Sequence, residues 1–405
     1  MIPSNPGPCS VAVLYQRAVG FPYAVTMSSK ALKYLADQQS SSKELSETWT
    51  KLEEYYNKKL WHQTTLLLLE VIKHPSLQKN DELLKLYRNF VADFENKMNH
   101  ISLVEICGAA VKQIKDPAEA IAFIEKVETK VKATPEAVVL CKVVLGNIRL
   151  YSGNDAAGTK KLIEDVEPMV DDLARVSFIH GRFYLLASGY YKQAGMHAQY
   201  FRTALRFLGC TELDELEPVQ KQEYAFYLAL AALLGEGIYN FGELLAHPIL
   251  QSLEGTSHAW LVELLLAFNT GDIATMERLR PQWEQQADLK ARQLELRQKI
   301  SLLALMEMTF RRPALSRCVT FAEVAAETRL PEEEVELLVM KALAQNLVRG
   351  HIDQVDRTVN LVWVQPRVLD KNQLSSMIER LDVWCRDVQS MEMLLENKAH
   401  DILTY

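Results

Sequence analysis

The sequence predicts a mainly α-helical protein: an α-solenoid of helical-hairpin repeats, followed by a winged-helix module and a long C-terminal helix. Apolar residues recur at helical spacing through most of the 405 residues, which predicts amphipathic helices. Turns containing Gly153, Gly195 and Gly237 follow one another at intervals of about forty residues, a period typical of stacked helical hairpins. Residues 320–366 then carry two helical patterns and two strand patterns, and residues 374–402 carry a long apolar stripe.

These patterns divide the chain into four segments. Residues 1–45 are expected to be a disordered or loosely ordered N-terminal extension, because they are rich in proline, serine, lysine and glutamine. Residues 46–295 are predicted to form a helical-repeat arm. The winged-helix module then occupies residues 296–369, and residues 370–405 form the C-terminal helix.

The repeat arm is predicted from helical patterns that occur in pairs. The turn at Gly195, for example, separates the patterns at 178–193 and 197–208. Glycine at such a turn can adopt the left-handed backbone conformation that closes a helix. No repeat carries a full tetratricopeptide consensus, so the prediction concerns an architecture that resembles tetratricopeptide or HEAT repeats.

The winged-helix module is predicted from its helix-start and strand signals. Thr320 and Glu323 have the spacing of a capping box, in which each side chain binds the backbone N–H of the other. Pro331 suits the first position of a second helix, because its missing N–H costs nothing there. Strands are predicted at 348–353 and 359–365, since β-branched and aromatic residues are concentrated there.

The second helix of this module is a poor candidate for nucleic-acid recognition. Its first turn carries Glu332, Glu333 and Glu334, with Glu336 close behind. These carboxylates would repel phosphate, and phosphate contacts dominate nucleic-acid affinity. The module is therefore expected to bind protein, with nucleic-acid binding kept as an alternative.

The second strand indicates where such a protein interface would lie. Val359, Leu361 and Trp363 share one face of the strand, whereas Val362 and Val364 point to the other face. A strand with two apolar faces is expected to be buried on both. We therefore predict that Val359, Leu361 and Trp363 lie at an interface formed by the wing, and the alternative is that they complete the module's own core.

The C-terminal helix carries a second candidate interface. At 1.5 Å per residue it would span on the order of 45 Å, more than a winged domain requires. An apolar stripe of this length is expected to pack on helices of partner proteins. The interface residues predicted on this stripe are Leu374, Ile378, Leu381, Val388, Leu395 and Ile402.

Composition and motifs argue for a scaffold protein rather than an enzyme. The net charge of −7 shows no overall bias toward nucleic acid or anionic membrane. No phosphate-binding loop, dinucleotide-binding turn, nucleophile elbow or His-Glu-x-x-His motif occurs in the sequence. We therefore predict no catalytic residues, no cofactor and no metal ligands. The six cysteines lack a Cys-x-x-Cys pair, which is typical of a reducing compartment, and no apolar run is long enough for a transmembrane helix.

Several stretches of the chain resemble the PCI-domain family, whose members combine helical repeats, a winged helix and a C-terminal helix. Residues 233–248, 306–310, 335–343, 363–370 and 399–405 are similar to those of its proteasome-lid members. The resemblance implies a non-catalytic scaffold subunit of the lid of the 19S regulatory particle of the 26S proteasome, acting in ubiquitin-dependent protein degradation. The alternatives are a PCI scaffold subunit of the COP9 signalosome or of a translation initiation factor complex, and a nucleic-acid-binding PCI protein.

The same resemblance implies particular partners and a cellular location. It implies a hetero-oligomer with other PCI subunits and with the metalloprotease-fold subunits of the lid, through edge-to-edge winged helices and a bundle of C-terminal helices. The repeat arm could also contact the ubiquitin-receptor region. No nucleic-acid or membrane partner is expected, and the location implied is cytoplasm and nucleus.

Overall fold

The computed structural model describes residues 28–41, 45–78, 81–313, 316–369 and 371–398. The chain divides into two compact units, one ending at Leu173 and one beginning at Ala174. Helices dominate both units, and the second also contains a three-stranded sheet. The predicted fold class, helical repeats followed by a winged-helix module and a long C-terminal helix, is confirmed.

The described part of the first unit is built of nine α-helices. They are α1 Ser28–Ser41, α2 Ser46–Asn57, α3 Trp61–Ile72, α4 Glu82–Leu86, α5 Ala92–Phe94, α6 His100–Val111, α7 Pro117–Val131, α8 Pro135–Asn147 and α9 Ala156–Asp171. Short π-helical turns follow α4 and α8, at Tyr87–Val91 and Ile148–Ser152, and a 3₁₀ turn covers Glu95–Lys97.

The core of the first unit contains an aromatic cluster between α2, α3 and α5. The ring of Trp61 stacks on Phe94 with a centroid separation of 5.4 Å, and Tyr56 meets both rings edge-on. Trp49 and Leu52 are fully buried nearby along α2. Burial of these large apolar side chains supplies the main stabilisation of this end of the repeats.

Within the segment 1–45, which was expected to be disordered or loosely ordered, residues 28–41 form helix α1. This helix buries Ala31 and Leu35, which lie one turn apart on the face that packs against α2. Gln39 also donates a hydrogen bond of 2.9 Å to Glu53 on α2. The many polar residues of this segment lie on the other faces of the helix. In the sequence they outnumber the two buried apolar residues, so the helical pattern is weak. Residues 1–27, also predicted to be disordered, lie outside the described residues.

The described part of the second unit contains twelve α-helices and three strands. The helices are α10 Phe178–Gln193, α11 His197–Cys210, α12 Pro218–Leu234, α13 Gly242–Ala246, α14 Ala259–Thr270, α15 Ile273–Arg278, α16 Arg280–Trp283, α17 Ala287–Ala291, α18 Gln293–Arg311, α19 Phe321–Thr328, α20 Glu332–Ala344 and α21 Lys371–Lys398. The strands are β1 Cys318–Thr320, β2 Val348–Asp353 and β3 Thr358–Val364, and 3₁₀ turns occur at Leu213–Glu215 and Pro248–Leu253.

The turn glycines behave differently from one another. Gly195 adopts a left-handed conformation, with φ of +69°, as predicted. Gly153 does not, because its φ is −92° and the next residue, Asn154, takes the positive φ instead. Gly271 closes α14 with φ of +72°, and a Cβ added there would lie 2.5 Å from Cα of Ala304. The end of α14 therefore lies directly against the backbone of α18.

Helix α18 forms the centre of the second unit. Residues 299–309 are all buried, and a helix that is buried on every side must be surrounded by other elements. It contacts α14 and α15 of the repeats, and α19, α20 and β3 of the winged module. The predicted winged module is therefore built directly onto the last repeat helices through this shared core.

Within the predicted module, residues 318–364 hold helices α19 and α20 and all three strands, and they are called the winged module from here on. They close with an antiparallel sheet of order β1-β3-β2. The predicted capping box is present at the start of α19: the Thr320 N–H donates to Glu323 at 3.1 Å, and the Glu323 N–H donates to Thr320 Oγ1 at 3.3 Å. Strand β2 has its predicted bounds, and β3 begins one residue earlier than predicted. Strand β1 was not predicted, because three residues are too few for a recognisable alternation.

Candidate protein-interaction surfaces

The strand predicted to form the wing interface, β3, is the central strand of the sheet. It pairs with β1 along one edge and with β2 along the other, so its backbone cannot accept a further strand. Val359 and Leu361 are 0% and 1% exposed and lie in the core of the winged module. The prediction placed these two side chains at a partner interface, and the structure places them in the module's own core, which was the alternative.

The outward surface of the sheet is formed by other residues. Val362 is 65% exposed on the face opposite Leu361. Trp363 is half-buried, and the guanidinium of Arg349 on β2 lies 4.7 Å from the centroid of its ring. Strand β2 is an edge strand within the described residues, since it pairs with β3 along one side only. Backbone pairing with another chain would therefore use β2 rather than β3.

The acidic turn of α20 lies beside the wing turn. Arg357 forms an ion pair of 3.3 Å with Glu332, and Gln354 donates a hydrogen bond of 3.2 Å to Glu336. Glu333 and Glu334 are exposed between these contacts. The surface that a DNA-binding helix-turn-helix would present to the major groove therefore carries negative charge, which opposes phosphate binding.

The apolar stripe of α21 lies entirely on the surface. The predicted residues Leu374, Ile378, Leu381, Val388 and Leu395 are between 47% and 60% exposed. The last predicted residue, Ile402, lies outside the described residues. Soluble monomers rarely expose continuous apolar surface of this extent, and a stripe along a helix is the geometry by which helices join a bundle.

A buried lysine that the sequence analysis missed joins the repeats to α18. Nζ of Lys299 donates to the carbonyl oxygens of Ala232, Leu233 and Gly235 at 2.7, 3.0 and 2.9 Å. These carbonyls lie at the C-terminal end of α12, where helix carbonyls lack partners of their own. Burial lowers the pKa of Lys299 to about 7. Its only sequence signal is a lysine amid the apolar residues of α18.

The residues that the structure describes contain neither a cluster of metal ligands nor a membrane-spanning helix. Nowhere in these residues do three histidine, cysteine, aspartate or glutamate side chains converge as a metal ion requires. Across the same ranges, no helix combines the length and apolar character needed to cross a membrane.

The comparison with protein families agrees with the architecture. Residues 48–265 match the family described as PSD13 N-terminal repeats, and residues 276–363 match the PCI domain. The fold and its C-terminal module thus define a helical-repeat protein of the PCI class.

Comparison with individual proteins shows which family within the PCI class this chain resembles. The chain is 35% identical over 381 residues to "26S proteasome non-ATPase regulatory subunit 13" of Dictyostelium discoideum, covering 92% of this chain and 99% of that protein. It is 36% identical over 383 residues to "26S proteasome non-ATPase regulatory subunit 13 homolog B" of Arabidopsis thaliana, with the same coverage. A weaker similarity of 26% over 184 residues, 44% of each chain, links it to "Eukaryotic translation initiation factor 3 subunit M" of D. discoideum. The chain belongs to the 26S proteasome non-ATPase regulatory subunit 13 family.

Proposed function

We propose that this protein is a non-catalytic scaffold subunit of the lid of the 19S regulatory particle of the 26S proteasome. In that role it supports lid assembly and ubiquitin-dependent protein degradation. The single observation that carries the proposal is the exposed apolar stripe on α21, in a chain that belongs to a family of proteasome regulatory subunits. A stripe of this kind requires partner helices, and an assembly of PCI subunits supplies them.

The proposal includes two contact surfaces. The first is the stripe on α21 from Leu374 to Leu395, which enters a bundle with C-terminal helices of other lid subunits. Ile402, outside the described residues, stays a sequence-based prediction for the same contact. The second is the edge of β2 that is unpaired within the described residues, together with the exposed side chain of Val362 and the half-buried ring of Trp363, and it meets the winged module of a neighbouring PCI subunit. Edge strands and apolar side chains on the same surface are suited to β-augmentation.

The partners proposed are other PCI subunits and the metalloprotease-fold subunits of the lid, in a hetero-oligomer located in cytoplasm and nucleus. The repeats are proposed to reach toward the ubiquitin-receptor region. The initiation-factor alternative is less well supported, because the similarity to the initiation factor subunit covers 44% of the chain whereas that to the proteasome subunits covers 92%. The acidic first turn of α20 argues against nucleic acid as a partner.

The test is native sizing of the endogenous protein in a gradient, with peptidase activity and protein composition measured in every fraction. The expected result is migration in a very large particle together with ATP-stimulated peptidase activity and other lid subunits. Migration as a free chain, or with ribosomal or signalosome components, would overturn the proposal.

A further inference from the structure

The segment between the winged module and α21, residues 365–369, is held beyond its first residue by residues that precede the winged module in the chain. Its first residue continues the sheet, since the Gln365 N–H donates to the Leu347 carbonyl at 2.8 Å. After Gln365 the contacts change from the wing to the repeats and α18. Two independent anchors make these contacts, one through Arg367 and one through Val368.

The first anchor is the guanidinium of Arg367. One nitrogen donates to the backbone carbonyl of Asn269 at 3.0 Å, and the other forms an ion pair with Glu307. Both charged side chains are only 11% exposed, so water screens the pair weakly. The second carboxylate oxygen of Glu307 accepts from Arg311 at 3.0 Å. Arg367 thus connects the segment 365–369 both to the C-terminal end of α14, through Asn269, and to the C-terminal end of α18, through Glu307.

The second anchor is the close approach of Val368 to Gly242 at the start of α13. A Cβ on Gly242 would lie 2.3 Å from Cβ of Val368, a distance that side chains do not tolerate. The side-chain oxygen of Asn240 accepts from the N–H groups of both residues, at 3.4 Å from Val368 and 3.2 Å from Gly242. Only glycine at position 242 lets the segment lie this close to α13.

We infer that Arg367 and the Val368–Gly242 contact form an anchor through which the repeat helices and α18 orient α21 before assembly. The start of α21 takes part, because Gln373 lines the same small cleft as Asn269, Glu307 and Arg367. A helix held at its base loses less conformational freedom when its stripe enters a bundle, so association is stronger. The inference rests on the proposed function and names Arg367 and Gly242 as positioning residues for it.

The first experiment measures hydrogen exchange in the isolated full-length chain, over the backbone amides of Gln365, Arg367, Val368 and Leu369 and of the first turns of α21. Arg367→Ala and Gly242→Ala each remove one anchor. The expected result for each variant is amide exchange about tenfold faster in this region. Arg367→Ala loses a largely buried ion pair and Gly242→Ala loses a close backbone approach, and either loss makes local opening more frequent. Unchanged exchange in both variants would overturn the inference.

The matched control is Arg311→Ala. It removes the other partner of the Glu307 carboxylate but touches no residue of 365–369, so exchange in the segment should stay at the wild-type rate. Exchange as fast as in Arg367→Ala would mean that the Glu307 network, rather than the anchor, had been disturbed, and would count against the inference. If Gly242→Ala fails to fold, as judged by the far-ultraviolet circular dichroism of the chain, Arg367→Ala carries the test alone.

The second experiment measures incorporation into the particle when each tagged variant competes with the untagged protein. Arg367→Ala should be incorporated several-fold less than wild type, since its stripe is intact but no longer oriented, whereas Arg311→Ala should match wild type. Incorporation of Arg367→Ala at the wild-type level would overturn the role of the anchor in assembly. Absence of the wild-type chain from the particle would instead refute the proposed function, and the exchange result would be unaffected.

Discussion

Nζ of Lys299 on α18 lies 2.7 Å from the carbonyl oxygen of Ala232 near the end of α12. Two further carbonyls from the same helix end lie at hydrogen-bonding distance, so three acceptors surround one amine. The contact joins residues 67 positions apart. It links α12 of the repeats to α18, the helix against which the winged module packs.

Replacement of Lys299 by methionine is expected to destabilise the second unit by about 2 kcal/mol, because buried carbonyl groups would lose their donor. Methionine matches the apolar part of the lysine side chain as far as its last carbon and lacks only the terminal amine. The free energy of unfolding from urea titration measures the effect. Lys341→Met is the control, since Lys341 lines the same cleft but is exposed. Equal stability of wild type and Lys299→Met would contradict the capping role.

The stability difference between wild type and Lys299→Met is expected to depend on pH. The pKa of Lys299 is lowered from 10.5 to about 7 in the folded chain by burial. Between these values the unfolded chain binds the additional proton, so the wild type should gain stability as pH rises, with little change below pH 7. Other titrating groups around the cleft, among them Glu236, Glu295, Arg292 and Lys341, are common to both proteins and cancel in the difference.

The measurement is the free energy of unfolding of both proteins at pH 7, 8 and 9. The difference should increase in favour of wild type by at most roughly 1.4 kcal/mol per pH unit. A difference that stays constant from pH 7 to 9 would show that the three carbonyl oxygens hold the amine in its charged form, because an ammonium has three N–H donors to match them and a neutral amine has two.

Gly271→Ala is expected to cost about 2–4 kcal/mol of stability, since it combines a positive φ with a Cβ that would overlap the backbone of Ala304. Gly255→Ala is the matched control. Gly255 also has a positive φ, +77°, but its surroundings are open, so only backbone strain of about 1 kcal/mol is expected. Melting temperatures of the two variants test the comparison, and equal losses would contradict the proposed close packing of α14 on α18.

The double variant Leu381→Asp, Val388→Asp is expected to keep the fold of the chain but to fail to enter the particle. Both side chains are about half exposed in the chain, so the charges cost little there, whereas charges buried in an apolar bundle are costly. Asp at both Val383 and Ser390 is the control, because that pair has the same spacing but lies half a turn around the helix. Normal incorporation of the Leu381 and Val388 variant would refute the proposed bundle.

Val362→Asp is expected to weaken the proposed contact between neighbouring winged modules without destabilising this one. The side chain is exposed on the outer face of β3, so the fold should tolerate the charge within about 0.5 kcal/mol. The control is Val359→Ala, which should instead lower the melting temperature, since Val359 lies in the core. Incorporation into the particle and the melting temperature are measured for both variants. If Val362→Asp lowers the melting temperature but is incorporated normally, an interface at this face is contradicted.

The sequence by itself determined the order of the helices, the winged module and the apolar stripe on α21. These features are local: the alternation of apolar residues, the pairing of Thr320 with Glu323 and the helical spacing of the stripe all lie within one or two elements. The family resemblance came from the same kind of local information. Helix α1 was missed for a local reason too, because two apolar residues in a polar segment are a weak pattern.

Only the tertiary structure decided which of the predicted interface residues are on the surface. Val359 and Val362 belong to the same strand and are both valines, and their exposure differs because α18 packs against one face of β3 only. The contacts of Lys299, Arg367 and Gly242 were likewise decided only by the tertiary structure. Their partners lie between 60 and 126 positions away in the chain (Arg367 to Glu307, and Gly242 to Val368), and contacts at such separations leave no periodic pattern in the sequence.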